Sequence, residues 1–202
     1  MSAHGLTYGP LGSSCVHLCV DMQRLFADPS PWATPWMPRV LPLIETLVER
    51  HAAQTIFTRF LPAQRPGQGV GTWKRYYDRW ASMTMSELDP EMIELMPSLK
   101  RHSPPATVLD KHIYSPWFEG RLRNFLSQVR IDTLVITGGE TDVCVLATVL
   151  GAIDFGYRVV LVTDALCSTS DATHDALLTV YHQRFAQQVE TVEMETILSE
   201  WT

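Results

Sequence analysis

Cys144 stands in the stretch Gly138-Gly139-Glu140-Thr141-Asp142-Val143-Cys144-Val145, directly after the apolar, β-branched run 133–137. That run reads as a buried parallel strand. Val145, Val149, Ala152 and Ile153 then recur at helical spacing, which predicts a helix starting near Thr141 or Asp142 and ending about Phe155. A cysteine in the first turn of that helix meets unpaired N–H groups and the positive end of the helix dipole, so a stabilised thiolate with a lowered pKa is expected. Gly138 and Gly139 give the backbone freedom to aim N–H groups at a developing negative charge. Cysteine is also among the commonest buried fillers, so its partners decide between the two roles. Two ionisable groups stand at other strand ends: Asp21 after the apolar run 15–20, and Lys111 just after 106–109. Asp21 alone could cap a turn, and Lys111 alone could be a solvated lysine. Together with Cys144 they supply a carboxylate to take a thiol proton, an ammonium to support charge and a thiol to attack, which are the parts of nucleophilic catalysis.

These three can meet only if the intervening elements place them at one edge. Strands are predicted at 15–20, 54–58, 106–109, 133–137, 157–163 and 188–192, and helices at 39–51, 90–99, up to 128, 171–185 and 194–201. Their alternation implies a three-layer α/β/α fold, Rossmann-like, with a doubly wound, mostly parallel six-stranded sheet. In the strand order 3-2-1-4-5-6, Asp21 and Cys144 lie on neighbouring strand ends about 5 Å apart, and Lys111 reaches over from further along on its long stem. Residues 1–14, small and polar, read as a loosely held arm, and residues 15–202 as a single domain. The segment 59–79 is too long for a plain connection and is rich in Gly, Pro and aromatics, which favours a binding loop. Trp73, Tyr76 and Trp80 are its candidate pocket walls, with Trp117 beside them; the alternative is that these aromatics pack a subunit interface. Arg59, Arg65, Lys74, Arg75 and Arg79 make the same region positive, so a carboxylate on the substrate is expected.

Composition narrows the alternatives. The 202 residues are 46% hydrophobic and 19% charged with a net charge of −6, ordinary for a globular domain and unsuited to a nucleic-acid or anionic-membrane partner. No long apolar run suggests a membrane span and no leader is apparent, so a cytoplasmic protein with reduced cysteines is expected. Cys15, Cys19, Cys144 and Cys167 show no CxxC spacing, and no His cluster suggests zinc. His17, inside the first strand, reads as a core histidine. Gly67-x-Gly69-x-Gly71 follows no strand directly and lacks the dinucleotide spacing, so no cofactor is expected.

The chain resembles the isochorismatase-like cysteine hydrolases, which include nicotinamidases, N-carbamoylsarcosine amidases and ureidoacrylate amidohydrolases. The motifs that carry the resemblance are Asp21-Met22-Gln23 with Phe26, Thr58-Arg59, Lys111 with Tyr114-Ser115 and Phe118, Gly138 to Val145, and Thr163-Asp164-Ala165. The resemblance implies Asp21, Lys111 and Cys144 as a catalytic triad. It also implies a cis peptide at Gly139–Glu140, an oxyanion hole from the N–H groups of Glu140 and Cys144, and a homo-oligomer, dimer or tetramer. Phe26 and Tyr114, which stand in these motifs, join the substrate-binding candidates. Nicotinamidases carry a metal-binding Asp-x-His pair and a further His after the second strand; here no His occurs between His51 and His102, so no metal is expected. Glu140 replaces a residue that is usually small or apolar. The resemblance and Cys144 together imply hydrolysis of a carbon–nitrogen bond in a small amide, ureido or carbamoyl compound through a Cys144 thioester. The alternatives are hydrolysis of a vinyl ether, which needs no thiol, and a non-catalytic member that binds a metabolite or partner.

Overall fold

A computed structural model describes residues 5–201, so the first four residues of the expected arm lie outside it. Six apolar runs form one sheet: β1 (Cys15–Val20), β2 (Thr55–Phe60), β3 (Thr107–Lys111), β4 (Thr133–Gly139), β5 (Arg158–Cys167) and β6 (Val189–Val192). The order is β3-β2-β1-β4-β5-β6 and every pairing is parallel. The helices are α1 (Arg24–Ala27), α2 (Met37–His51), α3 (Thr72–Arg79), α4 (Pro97–Lys100), α5 (Arg121–Gln128), α6 (Cys144–Asp154), α7 (Asp171–Gln183) and α8 (Met194–Glu200). Alternate residues of each central strand feed two cores, as the period of two requires. Cys15, Cys19 and Val135 pack with Val40, Ile44 and Leu47 of α2 and Ile197 of α8. Val16, Leu18 and Leu134 pack with Leu122 of α5, Val149 of α6 and Tyr181 of α7. This is the expected three-layer, doubly wound architecture, and its switch point falls between β1 and β4.

The departures from the sequence reading have local causes. β2 runs on to Phe60 because Gln23, wholly buried, accepts from the Phe60 N–H at 2.6 Å and donates to the Phe60 carbonyl at 2.9 Å. The segment 59–79 holds a two-turn helix, α3, in which Trp73, Tyr76 and Tyr77 recur at helical spacing and pack against the core. The expected helix at 90–99 is instead a 3₁₀ turn, Pro90–Ile93, and the short α4, separated where Leu95 bridges Gln23 in extended conformation. α6 starts at Cys144, after the cis Gly139–Glu140 peptide and a turn in which the Glu140 carbonyl accepts from Val143 and Val145. Residues 5–14 are not loose: Leu11 is buried and bridges Trp201, Tyr8 N–H donates to Glu190, and Arg158 donates to the Gly9 carbonyl at 2.7 Å. His17 is the expected core histidine, held between the Thr55 and Thr137 hydroxyls, and burial pushes its pKa down to about 3.

At Gly138 the backbone of β4 runs close against Val20, its partner at the end of β1. Gly138 has φ +105°, and a Cβ there would lie 2.1 Å from the Val20 carbonyl oxygen. Backbone cannot step aside as a flexible side chain would, so Gly138→Ala should cost about 3 kcal/mol or more, or prevent folding. Urea denaturation measures this, and a variant within about 1 kcal/mol of wild type would show that the β1–β4 junction yields.

Candidate active site

Three strand ends converge. β1 ends in Val20, and Asp21 follows with φ +50°, a left-handed conformation that a non-glycine residue adopts at some cost. The Asp21 carboxylate is fully buried. Its Oδ1 accepts from the Thr58 hydroxyl at 2.6 Å, and the same hydroxyl accepts from the Asp21 N–H at 3.1 Å. Lys111 closes β3, two strands away, and its stem crosses the Phe60 ring with Nζ 5.1 Å from the centroid. Nζ then lies 2.7 Å from Asp21 Oδ2, donates to the Ile113 carbonyl at 3.1 Å and to Cys144 Sγ at 3.4 Å. The reach inferred for Lys111 is therefore real, and the three groups form one buried cluster.

The protonation states depart from the sequence reading. Burial works against the Lys111 ammonium, but the charges of Asp21 and Cys144 outweigh it, and its pKa is raised. Burial pushes the Cys144 thiol up, Lys111 opposes this, and Asp21 adds to it, so the thiol pKa is raised and not lowered. The helix-end argument weighs only the N–H groups and the dipole; at 6% exposure, loss of water dominates both and the nearby ammonium. The resting site thus holds a neutral thiol beside an Asp–Lys ion pair, with Asp21 Oδ2 lacking any other hydrogen-bond partner. Among the described residues, the N–H groups of Glu140 and Cys144 donate to no backbone acceptor.

Over the thiol lies a cavity of about 100 Å³ lined by Phe26, Trp32, Phe60, Tyr76, Tyr114, Glu140, Val143 and Cys144. Tyr76 and Tyr114 also wall an outer groove of about 450 Å³ with Trp73, Ile113 and Ser115. Of the candidate walls, Phe26, Tyr76 and Tyr114 meet the inner cavity, and Trp73 the groove. Trp80 lines neither and backs Trp32 edge-on at 6.2 Å. Trp117 lines neither and lies about two turns along α6 from Cys144, where its indole donates to the Thr148 carbonyl at 2.9 Å and stacks on Tyr157. Sequence reasoning missed Trp32 and Phe60; the Pro-rich loop carrying Trp32 was the available signal. Arg59 does not face a substrate: Asp110 holds it through two bonds of 2.6 and 3.0 Å and Glu94 through one of 3.1 Å. Asp164, of the Thr163-Asp164-Ala165 motif, accepts from Met194 N–H and fixes the start of α8. A larger cleft of about 580 Å³ lies at the β6 edge among Thr163, His182, Glu190 and Glu193, away from Cys144 and without a nucleophile. Among the described residues no group of three or more His, Cys, Asp or Glu side chains is placed to hold a metal ion, and no helix is long and apolar enough to cross a membrane.

Comparison with known proteins gives a consistent picture. The Isochorismatase domain family matches residues 15–193. Nicotinamidase 3 of Arabidopsis thaliana is 26% identical over 162 residues, 80% of this chain and 77% of that protein. A cysteine hydrolase from Pseudomonas syringae pv. phaseolicola superposes with a TM-score of 0.78 at 20% identity, covering 99% of this chain and 100% of that one. N-carbamoylsarcosine amidase from Thermoplasma acidophilum superposes with a TM-score of 0.71 at 21% identity, covering 90% and 96%. The two structural likenesses speak for the fold.

The state of the thiol is directly measurable. The ultraviolet thiolate absorbance that distinguishes wild type from Cys144→Ala should be missing at neutral pH and develop only in alkali. Asp21→Asn removes a negative charge that opposes ionisation, so its thiolate should appear at lower pH than in wild type. A full thiolate signal at neutral pH in the wild type would contradict the burial argument.

Proposed function

The chain belongs to the isochorismatase domain family, and on that premise we propose that it is a cysteine hydrolase cleaving a carbon–nitrogen bond of a small amide, ureido or carbamoyl compound. The observation that carries this reading is the contact cluster of Asp21, Lys111 and Cys144 beside a cavity that Cys144 and Glu140 line. Asp21 Oδ2 takes the thiol proton as Sγ attacks the carbonyl carbon, so no standing thiolate is needed. The carbonyl oxygen gains the negative charge and meets the N–H groups of Glu140 and Cys144. Lys111 offsets the charge passing between sulfur and carboxylate. The tetrahedral species collapses as Asp21 returns its proton to the leaving nitrogen, giving ammonia or an amine and a Cys144 thioester. A water, deprotonated by Asp21, attacks the thioester, and release of the acid restores the thiol. Vinyl-ether hydrolysis is the weaker reading, because a buried thiol in contact with both charges has no task in it.

Ammonia release from a panel of small amides and ureido acids tests the reading. Cys144→Ala and Asp21→Asn should each lose on the order of 10²-fold or more in kcat while remaining folded. Near wild-type turnover by either variant sinks the assignment. Exhaustive chelation should leave activity intact, and loss of activity restored by added zinc or manganese would reopen a metal-dependent mechanism.

A further inference from the structure

The inner cavity is walled by aromatic and apolar side chains except for Cys144 and Glu140. Glu140 Oε2 accepts from the Thr169 N–H at 3.1 Å and from the Thr169 hydroxyl at 2.7 Å, which fixes the carboxylate. Among the described residues Oε1 accepts from no donor, and no cation comes within ion-pair distance of either oxygen. The ammonium of Lys111 is already matched by Asp21 at 2.7 Å. Arg59 is matched by Asp110 and Glu94, and Lys74, Arg75 and Arg79 are exposed on α3 outside both cavities. A second carboxylate, Asp142, sits close by, held by the Ser168 hydroxyl at 2.5 Å. Burial pushes the Glu140 pKa up, the Thr169 bonds oppose this, and Asp142 and Asp21 add to it. A carboxylate without a cationic partner therefore stands among the residues that line the cavity, and in its charged form it repels an anion there. Faces of Phe26, Trp32 and Tyr76 in the same walls favour a cation further.

On the reading of Cys144 as an amidase nucleophile, we infer that Glu140 determines the class of substrate: it selects amides whose body carries an ammonium or another N–H donor, and it rejects those carrying a carboxylate. This replaces the carboxylate expected from the basic residues of 59–79. Glu140 is a substrate-reading side chain whose backbone N–H serves the oxyanion independently.

Charge-matched alkylation isolates the effect. Iodoacetamide and iodoacetate each form a carbon–sulfur bond to Cys144 with loss of iodide, and the ratio of their rates cancels the thiolate fraction. The ratio at Cys144, read by peptide mapping, should exceed that of free cysteine on the order of 10-fold in favour of iodoacetamide. Glu140→Gln, whose amide oxygen still accepts from Thr169, should bring it back toward the free value. An unchanged ratio in this variant overturns the inference while leaving Cys144 as nucleophile. A second arm needs no turnover: Cys144→Ala protein should bind para-aminomethylbenzamide on the order of 10-fold more tightly than para-carbamoylbenzoate by calorimetry, and lose that preference with Glu140→Gln added. If Cys144 reacts with neither reagent, the amidase reading fails and this second arm alone decides. A charge preference that vanishes with Glu140 then upholds the inference; no preference, or no binding of either compound, overturns it.

Discussion

The contact between Lys111 and Asp21 is the constraint around which the structure is arranged. Both side chains are out of water, at 2% and 0% exposure, with their charged atoms 2.7 Å apart. Removing two such ions from water costs several kcal/mol each, and their attraction offsets this only where the geometry is good and further hydrogen bonds complete each group. Thr58 supplies one for the carboxylate and the Ile113 carbonyl one for the ammonium. An ion pair of this kind adds little net stability compared with apolar residues of the same size. Its value lies in holding charge beside the sulfur. Several local peculiarities serve that end: the left-handed backbone at Asp21, the extension of β2 and β3 that sets Phe60 beside Lys111, and the two glycines that end β4.

The neutral thiol follows from the same burial. A thiolate fixed in a dry site would itself need compensation, and Lys111 is already engaged by Asp21. The cluster instead keeps the proton within reach of an acceptor, Asp21 Oδ2, that becomes useful when a carbonyl carbon arrives. Under this reading reactivity is coupled to occupancy of the cavity, and water has little access to a preformed nucleophile.

Most of the fold was legible because parallel strands buried on both faces leave continuous apolar runs, and the doubly wound order then fixes which strand ends are neighbours. That logic alone brought Asp21, Lys111 and Cys144 to one edge. What it could not supply depends on three-dimensional packing. The thiol's proton affinity was misread because a local helix-end argument carries no knowledge of the walls formed by Phe26, Trp32, Phe60 and Tyr76. Arg59 looked free because its partners, Asp110 and Glu94, lie 51 and 35 residues away in the chain. Trp117 stands among the expected walls, yet it packs about two turns along α6 from Cys144, where a Cβ on Gly151 would collide with its ring. α3 carries its signal in Trp73, Tyr76 and Tyr77 at helical spacing, masked by Gly67, Gly69 and Gly71, which lead into it and read as loop.

The central claim is that Cys144 forms a covalent acyl intermediate within this cluster. Acid-quenched intact-mass spectrometry during turnover of a small amide tests it most directly. The account predicts a fraction of the protein heavier by the substrate's mass less that of the released ammonia or amine, mapped to the peptide containing Cys144 and missing from Cys144→Ala. Efficient hydrolysis by a Cys144→Ala protein, or an adduct mapped to Cys15, Cys19 or Cys167 alone, would contradict it.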